Sequence, residues 1–414
     1  MSGAERARVK QFGKLGYGLR QAGDWYLWGP YVSERQWGTV REDYSENGDA
    51  WNYLPHDHAR SRAYRWGEDG MAGFSDIEQS MCVALALWNG RDPILKERMF
   101  GLTGGQANHG EDVKEYWWYL DALPSHAWNR WRYHYPQHAY PYADLVVENA
   151  RRGKHDAEYE LIDTGVFDGD RYWVVEVDYV KADPSDLLMV VRITNAAPVA
   201  EALHVLPTVW FRNTWAWGFD GAPDPPTLSL TPSGTIDIEH PFLGPLELLA
   251  GAGPHGDGPM PLFCDNETNN RRLFGTANVS PYPKDGINDH VVHGLDTVNP
   301  ERRGTKASFW YQVTVAPEDT VELRLRLRPH GYKPARASVA LGSDFDRVVA
   351  HRHTEADEFY AEMAPEDITE DKALVMRQAF SSLLWSKQFY YYDISRWLEG
   401  DPGQPAPPAS RLSG

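Results

Sequence analysis

Apolar and polar residues alternate with a period of two in several separate stretches of this 414-residue chain. Met81, Val83, Leu85 and Leu87 alternate with Cys82, Ala84 and Ala86. Trp173, Val175, Val177 and Tyr179 recur at every second position. Val321, Leu323, Leu325 and Leu327 alternate with Glu322, Arg324, Arg326 and Arg328. Successive side chains of a strand point to opposite faces, so each run predicts a strand with one face turned to a core. Residues 187–194 and 203–211 add two more strands rich in branched residues, and 227–240 reads as a hairpin around Pro232-Ser233-Gly234. LELLAGAG and ASFWYQVTVAP extend the series. Short strands separated by turns, without alternating helices, predict a large antiparallel sandwich. Ser75 and Glu78 imitate a capping box, which makes a helix the alternative for 81–88. Asp92-Pro93 predicts a short helix over PILKERMFG, with Asp92 as its N-cap.

The pattern changes near residue 335. SDFDRVVAHRHTEADEFYAEMAP reads as an amphipathic helix, and EDKALVMRQAFSSLLWSKQFYYY as a second. Leu374, Met376, Ala379, Leu383 and Leu384 give the second a helical apolar face. That face has no partner in this chain. DPGQPAPPASRLSG follows as a Pro-rich flexible tail. The expected division is a β domain over 1–332 with a loop-rich start, a helical linker over 333–368, and a lone helix with its tail over 369–414.

Composition narrows the function. Hydrophobic residues make up 42%, enough for a sizeable core. The net charge of −18 removes the basic footprint that a nucleic-acid partner or an anionic membrane surface would need. The N-terminus has no apolar stretch resembling a secretion signal, and the most apolar run, residues 81–88, is too short to span a bilayer. Cys82 and Cys264 cannot make a disulfide framework. These features predict a cytoplasmic protein.

Aromatic content of 13%, with 17 Trp and 22 Tyr, points to flat ligands, because indole and phenol rings cover the apolar face of a sugar. Three runs combine rings with polar groups. WGPYVSERQWGTVREDYS (28–45) carries Trp37, Arg41, Asp43 and Tyr44. NHGEDVKEYWWYLDALPSHAWNRW (108–131) carries His109, Glu111, Asp112 and Trp117. FCDNETNNRRLFG (263–275) carries Asn266 and Glu267. Carboxylates, amides and guanidinium groups are the partners that sugar hydroxyls need, so these ten residues are the candidate substrate-binding set. The competing reading is that the rings of 116–119 belong to the core and the Asn run is a turn. GAGPHG (251–256) matches a dinucleotide fingerprint, but Pro254 and the following Gly and Pro forbid the helix that would hold a phosphate. No histidine pair has H-E-x-x-H spacing, and DGIND lacks the ligand spacing of a calcium loop. Neither a cofactor nor a metal is expected. The pairs Glu42–Asp43, Glu111–Asp112 and Asp265–Glu267 could in principle serve glycoside hydrolysis, which requires two carboxyl groups across one bond.

The longest motifs are WGPYVSERQWGTVREDYS, LALWNGRDPILKERMFGLTGGQANHGEDVKEYWWYLDALPSHAW, YPQHAYPY, DNETNNRRLFG, KDGINDHVVHG and MRQAFSSLLWSKQFYYYDISRWL. With them the chain resembles the bacterial and fungal branch of glycoside hydrolase family 63, over nearly its whole length. The resemblance implies an N-terminal β-supersandwich joined by linker helices to an (α/α)6 barrel, and inverting hydrolysis of α-glucosidic bonds. It also implies that the general acid and base lie in the barrel, beyond this sequence, so that no residue here inherits a catalytic role. The 369–414 segment would be the first barrel helix, and the chain the front part of a glucosidase that needs its barrel in cis or in trans. A stand-alone carbohydrate-binding sandwich is the alternative.

Overall fold

The computed structural model describes residues 3–32, 34, 54–387, 389 and 391–412. Two antiparallel sheets face one another. The smaller runs in the order Trp28–Gly29, Met71–Asp76, Met81–Trp88, Glu201–Phe211, Lys306–Val315 and Met260–Cys264. The larger has nine strands, from Arg303–Gly304 through Thr227–Leu230, Ile236–His240, Gly244–Ala250, Thr320–Pro329, Asp186–Asn195, Tyr172–Asp183 and Trp128–Pro136 to Trp117–Ala122. The alternation read from sequence sets the inner faces. Val83, Leu85 and Leu87 from the smaller sheet meet Val175, Val177, Leu323 and Leu325 from the larger in one core. Each such fully buried Val or Leu contributes about 1.5–3 kcal/mol. The chain is therefore mainly β, and 81–88 is a strand.

Two outward residues of the last long strand, Arg326 and Arg328, are buried, while Glu322 and Arg324 keep contact with solvent. Arg326 donates from Nε and Nη2 to Asp186, at 2.8 and 2.6 Å, and from Nη1 to Asp344 at 2.6 Å. Arg328 donates to Glu247 and to the Pro334 carbonyl. Arg326 thereby ties the connecting helix Ser343–Met363 to the outer face of the larger sheet, while Arg328 holds the chain that leads to it. Phe345, Val348, Ala356 and Tyr360 recur at helical spacing and pack on Trp128, Val180, Leu188 and Val190.

The helix Glu370–Leu384 packs beside the edge strand Trp117–Ala122. Arg377 holds Asp121 through two nitrogens, at 2.8 and 2.5 Å, and the ring of Trp385 stacks on Tyr119 at 5.0 Å. Leu384 turns to the core. Leu374, Val375 and Leu383 stay 62%, 61% and 71% exposed. Among the described residues, no helix is long and apolar enough to cross a membrane.

Two expectations are corrected. PILKERMFG does not form a helix. Asp92 caps nothing: its oxygens accept the Tyr135 hydroxyl, the Tyr140 N–H and the Asn89 amide, which pins the segment to distant chain instead. The Pro-rich segment is not a free tail either, since Asp401 and Gly403 are bonded to the body of the protein.

Candidate functional site

Two loops leave the smaller sheet at the same end of its strands. Trp210 and Cys264 both pair with Lys306, so the strands ending at Phe211 and Cys264 release their loops side by side. Residues 62–66 and 396–411 complete a cleft of about 700 Å³ around them.

One wall is aromatic. The Arg65 guanidinium lies 3.5 Å from the Trp217 ring centre and 4.2 Å from that of Trp66. Its charge is met by Asp401, with Nε at 2.6 Å and Nη2 at 3.1 Å. Trp217 and Tyr391 are parallel within 5°. Behind them Arg212 rests 4.7 Å over Phe389. Burial lowers its pKa, with Glu68 acting in the opposite sense.

Close approach of backbone builds the same wall. The Gly403 N–H donates to the Trp217 carbonyl at 2.7 Å, and the Gln404 amide to that of Ala216 at 2.8 Å. Gly218 has φ of +75°, and a Cβ there would lie 2.6 Å from the Gly403 nitrogen. Only glycine fits such a position.

Glu267 supplies a second carboxyl group to the cleft, beside that of Asp401. The Trp215 indole N–H donates to its Oε1 at 2.6 Å. Burial pushes this carboxyl above its ordinary range, against the hydrogen bonds from Trp215 and Asn213. Asn266 lies beneath it, fully buried. It donates to the Phe211 carbonyl at 2.8 Å and to Glu68 at 3.2 Å, and its N–H donates to Thr305 Oγ1. Asn266 thus clips the loop to the sheet, while Glu267 faces the cleft. An indole face, a guanidinium and a half-buried carboxyl converging on one cavity can stack on a ring and bond its hydroxyls.

The remaining sequence candidates fall elsewhere. Trp37, Arg41, Asp43 and Tyr44 lie outside the described residues. Their described neighbour Glu34 is buried and accepts from the Ala72 N–H and the Tyr119 hydroxyl, which makes it a brace. His109, Glu111, Asp112 and Trp117 do not line the Glu267 cleft. His109 bonds through Nε2 to the Asp156 carbonyl at 2.9 Å, and Glu111 is exposed. Asp112 shares the Lys114 ammonium with Glu158 and Glu160, at 2.8, 2.9 and 3.3 Å. Those three carboxylates lie close enough together to hold a cation, and Lys114 already supplies one. Trp117 is half-buried in an edge strand and packs on the core.

Sequence reading missed Arg65, Trp66, Trp217 and Asp401. The available signal was Trp215-Ala216-Trp217-Gly218, two indoles just after a predicted strand.

No protein-family model matches the chain. It is 40% identical to the uncharacterized protein YMR196W of Saccharomyces cerevisiae over 426 residues, covering 94% of this chain and 39% of that protein. The chain therefore spans about two fifths of this relative's length. Among solved structures it is similar to a putative kojibiose phosphorylase from the human microbiome, at 6% identity and a TM-score of 0.20 over 51% of this chain and 21% of that one. It is also similar to a heparinase III, at 9% identity and a TM-score of 0.19 over 50% of this chain and 20% of that one. At those scores the likeness is too slight to assign a fold family or an activity.

Proposed function

We propose that this chain is the N-terminal part of an inverting α-glucosidase-like glycoside hydrolase acting on α-glucosides. It supplies a sugar-holding cleft and a face for a helical (α/α)6 domain, while the acid and base lie on that second domain. The observation that carries this reading is the cleft itself. Its Trp217 face, Arg65–Asp401 pair and Glu267 carboxyl are the groups a pyranose needs. Two further features support it. The motifs resemble family 63, and Leu374, Val375 and Leu383 leave an apolar face on the helix that would begin the second domain. Under this reading 1–332, 333–368 and 369–414 are the sandwich, the linker and the first helix of the next domain, and Trp37, Arg41, Asp43, Tyr44, His109, Glu111, Asp112 and Trp117 brace or line the joint site.

The test is calorimetric titration of the chain with kojibiose, nigerose, maltose and methyl α-glucoside, for wild type and Trp217→Ala. Binding of at least one glucoside, lost in the variant, supports the reading. No heat with any of them overturns the cleft's role. Release of glucose by the chain alone would overturn the division of labour. The second reading, a stand-alone carbohydrate-binding sandwich, predicts the same binding but no gain of hydrolysis when the domain is linked to a barrel.

A further inference from the structure

A second, small cavity of about 20 Å³ lies beneath the Glu267 loop. Three polar atoms of its lining residues are buried and have no hydrogen-bond partner among the described residues: Glu97 Oε2, Asn266 Oδ1 and Trp210 Nε1. Two are acceptors and one is a donor. The charged groups around the cavity are Glu68, Asp69 and Glu97 against Arg98, Lys284 and Lys306. They balance, and a proton passed between Glu68 and Lys284 leaves the sum unchanged.

These facts constrain an occupant closely. A cation would face the Trp210 N–H, and an anion would face two acceptor oxygens; either would upset the charge balance. A neutral molecule with two hydrogens to give and a lone pair to receive satisfies all three atoms. A water needs roughly 10–15 Å³ measured in this way, and buried waters make about three hydrogen bonds. We propose that the cavity is a binding site for one water molecule. It donates to Glu97 Oε2 and Asn266 Oδ1 and accepts from Trp210 Nε1.

The site has a positioning role. Trp210 belongs to the strand Glu201–Phe211, and Glu97 is held by Lys306 at 2.6 Å. Asn266 immediately precedes Glu267. The water ties the cleft loop to two rigid anchors through the one side-chain atom of Asn266 that the protein leaves unbonded. This role rests on the sugar reading of the cleft; the water site does not.

The test is a crystal structure of the whole chain at about 1.5 Å, with parallel soaks in rubidium and bromide. One peak within 3.2 Å of all three atoms, without anomalous signal in either soak, is expected. An ordered Rb⁺ or Br⁻ in the cavity overturns the proposal, and so does a collapsed cavity in which the three atoms bond elsewhere. Trp210→Phe, which removes the donor together with the pyrrole part of the indole, supplies the second arm. It should raise the displacement parameter of that peak and weaken glucoside binding three- to ten-fold. An unchanged peak and unchanged affinity would leave the water without a positioning role. If wild type shows the water but binds no glucoside, the sugar reading fails and the water site stands.

Discussion

Lys96 Nζ lies 2.7 Å from Glu115 Oε1, and neither side chain is exposed at all. Glu115 also accepts the Tyr133 hydroxyl at 2.7 Å and the Phe100 N–H at 3.1 Å, while the Lys96 ammonium sits 3.6 Å over Tyr140. Lys96 is joined to the strand Met81–Trp88 by two backbone hydrogen bonds with Leu87, at 2.9 and 2.8 Å, and Glu115 to the strand Trp128–Pro136 through Tyr133. Removing one partner strands a charge without water. Glu115→Ala should lower unfolding free energy by about 3–5 kcal/mol, read in urea titrations of the whole chain. A loss under about 1 kcal/mol would show that water reaches Lys96.

Lys387 predicts a pH dependence. It is half-buried, its Nζ lies 3.2 Å from His126 Nε2, and it lies over the Tyr26 ring. Burial pulls its pKa down to about 8, against the opposing pull of Glu5. The folded state then binds fewer protons than the unfolded state between about pH 8 and the ordinary lysine value of 10.5. Stability from this group therefore rises with pH across that window and is missing below it. Lys387→Met should stabilise the chain at pH 7 by up to about 3 kcal/mol, and the advantage should fade by pH 10. A constant difference between the two proteins from pH 7 to 10 would contradict the depressed pKa.

The contact between Gly218 and Gly403 should tolerate nothing larger. Gly218→Ala adds a Cβ at a positive φ against the Gly403 nitrogen, a combination that costs on the order of 1–3 kcal/mol. The expected result is local: faster trypsin cleavage after Arg396 and Arg411, with the unfolding midpoint of the sandwich held within a few degrees. Cleavage at the wild-type rate would show that Gly403 is not seated on the loop.

The exposed Leu374, Val375 and Leu383 should make the isolated chain associate. Leu374→Glu with Leu383→Glu should lower the scattering mass at 50 µM to that of a monomer and leave thermal unfolding unchanged, since neither residue packs on the sandwich. A wild-type chain that is already monomeric at that concentration would remove the argument for a docking face.

Most of the sandwich was legible because its strands alternate strictly. Val83, Leu85 and Leu87 could face only one way once a core existed. Trp131 and Tyr133 were harder. They lie in a run dense with His, Glu and Arg, yet every second ring points inward. The alternation was masked by polar side chains pairing on the outer face, such as Arg130 with Asp178. Asp92 resembled an N-cap because capping is a local signal, while two of its real partners, Tyr135 and Tyr140, lie more than forty residues away. The cleft shows the same limit at larger scale. Glu267 stood out within its own loop, but Arg65, Trp217 and Asp401 acquire meaning only when four separate segments meet.

The Arg65–Asp401 pair also sets an order of events during synthesis. The two residues are 336 positions apart. At a translation rate of about 5–20 residues per second, Arg65 emerges on the order of 20–70 s before its carboxylate exists. Through that interval the sheets can pair and the core can close, but the aromatic wall lacks Asp401 and has no Gly403 to seat against Trp217. The ribosome thus delivers the scaffold before the 401–403 side of the wall, so a nascent chain arrested before residue 401 would be folded at its centre and open at its cleft.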